Sequence, residues 1–326
     1  MNFALIRMLQ VAAISLFTIA GAASASAPMQ KTQAPGYYRM LLGDFEVTVL
    51  SDGILPFDVH ELLTNITPQQ VDTALARAYL KEPVEFSVNA FLINTGTKLV
   101  LIDTGTGGSF GPTVGALPAN LRACGYRPEQ IDEIYITHMH GDHIGGLTQN
   151  GKALFPNAIV RSSKDEADYW LSEARMNSAP AGAKDGFKSA MAALKPYVDA
   201  KRFHPFDGNT ELVPGVRSVL AEGHTPGHSM YLVSSKDQHL LLWGDLMHVG
   251  AAQFPNPAVT IKFDTDSTAA AAQRIKTFAD VAAKGYLVGG AHIPFPGVGH
   301  LRAAGVSGAA KASYAFVPIA YSVPAK

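Results

Sequence analysis

Thr137-His138-Met139-His140-Gly141-Asp142-His143 places three imidazoles and one carboxylate within residues 138 to 143. It follows Ile131-Asp132-Glu133-Ile134-Tyr135-Ile136-Thr137, an apolar run that reads as a short strand. His138 and His140 are two apart, so in extended backbone they point the same way, whereas on a helix they would diverge. Gly141 frees a turn that brings Asp142 and His143 around the same point, and Gly145-Gly146 permit close backbone approach just behind. Imidazole nitrogen and carboxylate oxygen suit zinc above all, and also manganese, cobalt or iron; the lack of thiols argues against a structural Cys-rich zinc site. A polar surface loop with coincidental histidines would leave this density unexplained.

His228, Asp245 and His292 each border a predicted strand, so distant positions can converge on the cluster at one sheet edge. The reading assigns His138, His140 and His228 to one metal, Asp142, His143 and His292 to a second, and Asp245 as the bridge. Asp142 and Asp245 are thereby the candidate catalytic carboxylates, with Asp142 also placed to move a proton. His224 is read as a support for the metal shell or as a turn residue, with a direct ligand role disfavoured because the ligand set is already full, and Asp52 as a hydrogen-bond partner behind the ligands or a turn residue.

The rest of the chain bounds these readings. With 326 residues, 47% hydrophobic and 16% charged, it is long enough for one large domain with a substantial core. A formal charge of -1 gives no electrostatic footprint for nucleic-acid binding. Arg7, the apolar run from Met8 to Ala20 and the small residues Gly21 to Ala27 read as a signal peptide over residues 1–25, cut after Ala25. Residues 26–44 read as an arm and 45–326 as a single metallo-hydrolase domain. No later stretch is apolar enough to span a bilayer, so no membrane association is expected after cleavage. Cys124 is the only cysteine, which rules out an intrachain disulfide and favours a bacterial periplasmic or secreted destination.

In chain order, strands are expected at 45–50, 86–94, 98–102, 131–137, 158–161, 216–221, 230–233, 240–243, 286–288 and 315–319. Helices are expected at 67–80, 114–123, 164–174, 184–193 and 267–283. Asp103-Thr104-Gly105-Thr106-Gly107-Gly108 lacks the lysine of a phosphate-binding loop, so its glycines are read as a turn beneath the metal site. Gly244-Asp245 ends its strand much as Asp103 ends another, in the manner of a duplicated unit. Mixed strands with helices on two outer faces predict an α/β fold in four layers rather than a barrel. Phe110, Trp170 and Phe187 are candidates for the substrate pocket.

The pattern His138-x-His140-x-Asp142-His143 with His228, Asp245 and His292 resembles the metallo-β-lactamase superfamily over nearly all of the mature chain. That resemblance implies an αβ/βα sandwich and a hydroxide bridging two divalent metal ions as nucleophile. Residues 34–46, Ile134 to His140, Gly223 to His228, Phe295-Pro296-Gly297 and Phe316-Val317-Pro318 are similar to the exported methyl parathion hydrolases and their lactonase relatives. This closer likeness implies a homodimeric two-metal hydrolase with an aromatic pocket at Phe110, Trp170 and Phe187. The chain departs from those hydrolases in that pocket. Ile54 to Leu62 lacks their basic side chain near the leaving group, and His248 and Phe263 stand where they have aliphatic residues. The expected substrate is accordingly a small neutral lactone or aryl ester, with phosphotriester hydrolysis as a side activity; a dedicated organophosphate triester hydrolase is the alternative. A binding module without catalysis, or an oxygen reductase lacking any flavin domain, fits the residues less well.

Overall fold

Strand residues sort by parity between two interiors, because successive side chains point to opposite faces of a sheet. The computed structural model describes residues 27–307 and 311–322, so the expected signal peptide at 1–25 lies outside the described residues. The chain divides into Met1–Ala34, whose residues 27–34 carry no helix or strand, and Pro35–Lys326. The second unit contains both large sheets.

One sheet orders β1 (Tyr37–Leu42), β2 (Phe45–Phe57), β3 (Val84–Asn94), β4 (Leu99–Ile102), β5 (Glu133–Tyr135) and β6 (Ile159–Arg161). The other orders β7 (Glu211–Val213), β8 (Val216–Leu220), β9 (Ser229–Ser235), β10 (Gln238–Leu242), β11 (Leu287–Gly289), β12 (Val298–Ser307) and β13 (Lys311–Pro318). Pairing is antiparallel except along β4–β5–β6 and between β10 and β11, which run parallel. Phe91, Ile93, Val100 and Ile102 of the first sheet meet Tyr231, Val233, Leu240 and Leu242 of the second.

Helices α1 (Pro68–Arg77), α2 (Leu117–Ala123), α3 (Lys164–Trp170), α4 (Lys184–Asp199) and α5 (Ser267–Lys284) flank the sheets. Leu92, Leu101 and Ile134, the opposite parity of the first sheet, pack with Leu121 of α2 and Leu194 of α4. Leu241, Trp243 and Val288 pack with Phe278 and Val281 of α5. The result is the expected four layers, helix, sheet, sheet, helix. The helix ends follow from local chemistry. Thr67 and Gln70 form a capping box around Pro68, and Asp266 caps α5, which Gly285 closes in a left-handed conformation.

Several expectations change, three of them with a consequence for packing or for the site. The arm drawn to residue 44 is too long: Tyr37 to Leu42 pairs with Leu50 to Phe45 and buries Tyr38, Met40 and Leu42. Strand β12 was not expected, because Gly299, Ala303, Ala304 and Gly305 dilute its alternation. Helix α2 starts at Leu117 rather than at 114, and Asp52 is the cause. A bulge between Ser51 and Gly53 takes Asp52 out of the ladder. Its carboxylate then accepts from Thr106 N at 2.9 Å, Thr106 Oγ1 at 2.7 Å, Gly115 N at 3.1 Å and Leu117 N at 2.9 Å.

Replacing Asp52 by Ala strands these donors, two of them buried main-chain amides. At about 1–3 kcal/mol for a buried donor left unsatisfied, Asp52→Ala is expected to cost about 3 kcal/mol in denaturant unfolding. Asp52→Asn, which keeps one acceptor oxygen, is expected to cost less; equal stability of Asp52→Ala and the parent would show that another contact holds the loop.

Candidate metal centre

The parallel strands end at one edge. β4 runs into Asp103, β5 into Thr137-His138, β10 into Gly244-Asp245 and β11 into Gly290-Ala291-His292. The crevice outside the carboxyl ends of such strands is where open α/β sheets collect ligands. Two close approaches bring the loops together. A Cβ on Gly146 would sit 1.9 Å from Thr104 O, and one on Gly244 would sit 2.7 Å from His228 Nε2, so neither position admits a side chain without movement.

Two groups of ligand atoms result. His138, His140, His224 and Asp245 form one; Asp142, His143, Asp245 and His292 form the other. In the first, His138 Nε2 lies 3.0 Å from His140 Nδ1 and 3.2 Å from His224 Nε2, which is 3.4 Å from Asp245 Oδ2. In the second, His143 Nε2 is 3.5 Å from Asp142 Oδ2 and 3.1 Å from Asp245 Oδ1, while His292 Nε2 is 3.1 Å from Asp245 Oδ2. Ligands at about 2.0–2.1 Å from a tetrahedral ion stand about 3.4 Å from one another, so these spacings fit a divalent cation in each group. His143 Nε2 and Asp245 Oδ1 are fully buried with no hydrogen-bond partner, as expected of atoms whose lone pairs serve an ion. Asp245 is shared, which makes the centre binuclear.

The histidines are oriented from behind. Nδ1 of His138 meets Thr137 Oγ1 at 3.1 Å, that of His143 meets Asp103 Oδ2 at 2.8 Å, that of His224 meets Asp264 Oδ1 at 3.0 Å and that of His292 meets Ser87 O at 2.8 Å. Each acceptor fixes the ring hydrogen on Nδ1 and leaves Nε2 free to ligate. Burial pushes the His140 pKa down to about 3, so that ring is neutral.

His228 does not join the ligands, which corrects the expected set. Its Nδ1 lies 3.1 Å from Ala221 O and its Nε2 accepts the main-chain N–H of Asp245 at 3.1 Å, so both nitrogens are engaged. His224 stands in its place, nearer the ligands than the supporting role expected of it. Asp52 likewise does not touch the ligands; it braces the loop from Thr106 to Leu117.

The expected pocket residues also separate. Phe110, 49% exposed, lies over Gly141, where a Cβ would come within 3.0 Å of its ring. Trp170 stands edge-on to His140 at 5.5 Å, and Phe187 packs behind Trp170 at 4.8 Å within the core. His248 is buried with Nε2 3.1 Å from Asp245 Oδ2, and Phe263 contacts its ring at 5.8 Å.

Three carboxylates did not emerge from the motif. The sequence marks Asp103 only as a strand end, yet it holds both His143 and the N–H and hydroxyl of Thr137. Glu166 of α3 accepts from Met139 N, Thr225 Oγ1 and Gly227 N, tying the two histidine loops together. Asp264 holds His224. Their only sequence signal is an acid beside a predicted strand or helix end. A third group, Asp58, His60 and Glu82, lies in a more exposed setting; its carboxylates accept main-chain N–H groups of residues 59–61, and His60 is paired with Glu82 and Asp72.

The sequence profile of the metallo-beta-lactamase superfamily matches residues 83–281. The chain belongs to that superfamily. Among its members of known structure, AbOPH, a hydrolase in the beta lactamase superfamily, is 36% identical with a TM-score of 0.84, covering 90% of this chain and 100% of that one. AidC, a dizinc quorum-quenching lactonase solved with a product, is 26% identical with a TM-score of 0.80, covering 88% of this chain and 99% of AidC. An N-acyl homoserine lactonase from Bacillus sp is 28% identical over 157 residues, 48% of this chain and 54% of that protein. The chain thus spans about half the length of the curated relatives it matches.

His224→Ala is expected to remove one of two bound metal equivalents in elemental analysis of the purified protein. His228→Ala is expected to keep both, and to lose about 1–3 kcal/mol of stability through the stranded Asp245 N–H. Loss of a metal from the His228 variant alone would reverse the assignment.

Proposed function

We propose that this chain is a two-metal hydrolase that opens lactones and cleaves aryl esters, with phosphotriester hydrolysis as a side activity. The observation that carries the proposal is the sharing of Asp245 between two adjacent ligand groups, within a fold similar over most of its length to that of a dizinc lactonase. Two bound divalent ions supply a deprotonated water at neutral pH and polarise the oxygen on which charge develops.

The chain's own residues do the rest. Among the ligands only His140 of the first group and Asp142 of the second are not fully buried, so substrate reaches the centre over the segment His140 to Asp142. Phe110 stands over the neighbouring Gly141 and offers an apolar contact to an acyl or aryl group. Asp142 takes the one proton left on that deprotonated water as its oxygen bonds to the substrate and returns it to the oxygen that leaves. In a lactone, the water oxygen joins the carbonyl carbon, the ring C–O bond breaks, and the ring oxygen receives that proton as a hydroxyl on the acid product. An aryloxide needs little protonation, which is why esters and phosphotriesters with such leaving groups also fit.

One metallated preparation should be assayed on dihydrocoumarin, an N-acyl homoserine lactone, phenyl acetate and a dimethyl aryl phosphotriester. The lactones are expected to have the highest kcat/KM, with the phosphotriester behind. A phosphotriester rate well above the lactone rates would establish the dedicated organophosphate hydrolase instead.

A further inference from the structure

A groove of about 920 Å3 lies apart from the metal centre, between α1, the turn Gly250–Gln253 and β13. No metal ligand is on its walls. From α1 it takes Gln70, Thr73, Ala74 and Arg77, which at spacings of three and four residues share one helix face. Phe254 and Phe316 also line it, stacked at 5.6 Å with 7° between their ring planes, and Tyr314 N donates to Phe254 O at 3.0 Å. The floor is therefore flat, aromatic and fixed.

Polar groups on the walls are few. Gln70 Oε1 accepts from Thr67 N, Thr73 Oγ1 donates to Gln69 O and Asn256 Oδ1 accepts from Ala258 N, so each is engaged within its own segment. Two donors are not. Among the described residues the Arg77 guanidinium finds neither a hydrogen bond nor an ion pair, and the Tyr314 hydroxyl finds no hydrogen bond although that residue is only 6% exposed. No Asp or Glu lines the groove.

Small-molecule sites occupy about 300–1,000 Å3, with apolar walls and a small number of placed polar groups, and the groove has each of these features. A single guanidinium calls for a single negative charge, and its fork matches the two oxygens of a carboxylate. From Gln70 to Arg77 the helix rises about 10 Å at 1.5 Å per residue, which leaves room for an unbranched chain along the aromatic floor.

We propose that this groove binds an unbranched aliphatic carboxylate, its head on Arg77 and its chain over Phe254 and Phe316. The site is independent of what the metal centre hydrolyses, and its test uses no hydrolysis.

The test is calorimetric titration of the full-length, metal-loaded protein with octanoate, and in parallel with octanol. Arg77→Gln removes the charge and Thr73→Trp fills the groove. Both positions are exposed on α1, and circular dichroism with metal analysis verifies each variant. The parent is expected to bind one octanoate saturably. A charged hydrogen-bond partner at a partly exposed site commonly contributes about 5- to 10-fold in affinity, so octanol is expected to bind the parent that much more weakly. Arg77→Gln is expected to bring octanoate down to the octanol level and to leave octanol unchanged, while Thr73→Trp is expected to abolish both. Absence of saturable binding to the parent overturns the proposal, as does parent-like octanoate affinity in either variant, which would put the carboxylate on the metal centre or elsewhere. Dissociation of a dimer by Thr73→Trp in sedimentation overturns it too, because the groove then belongs to a second copy of the chain. If Thr73→Trp fails to fold, the contrast between octanoate and octanol in Arg77→Gln decides.

Discussion

His143 stands between two carboxylates that belong to different sheets. Asp103, at the end of β4, holds its Nδ1, and Asp245, beyond β10, faces its Nε2. The two sheets must therefore end at the same level, and their packing through Ile102, Tyr135, Tyr231 and Leu242 sets that level. The other ligands follow from this registration. His138 and His140 leave β5 beside Asp103, and His292 leaves β11 beside Asp245. The centre is a property of the sandwich as a whole, which explains why its ligands are scattered from residue 138 to residue 292.

Much of this was legible in the residues. Strands such as Phe86 to Asn94 and Leu240 to Trp243 declare themselves by apolar runs that end in turn residues, and the density of His138 to His143 has few explanations besides a metal. The capping signals at Thr67 and Gly285 likewise placed their helices within a few residues. Harder to read were elements whose pattern is diluted or whose partner is remote. β12 is rich in Gly and Ala, and β1 follows a stretch of Pro and Gln that reads as an arm.

Within Gly223 to His228 the choice of histidine was misread, and the reason is local. His228 directly precedes β9, so its ring is drawn down among Ala221, Gly244 and Thr137, where main-chain groups claim both nitrogens. His224 lies in the loop four residues earlier, and its buried ring turns Nε2 to Asp245 with Asp264 behind it. Composition cannot distinguish two histidines four residues apart; the distance of each from the strand does. His248 shows the converse: a departure in the pocket from the family resembled turns out to touch the shared carboxylate.

The placement of the two tryptophans has a separate use. Trp170 stands edge-on to His140, whereas Trp243 is enclosed by Phe254 and Phe278 in the opposite half of the sandwich. An indole beside a ligating imidazole senses the charge and rigidity of that ring. Trp170 is thus placed to report on the first ligand group, and its emission is expected to change when His140 takes up an ion.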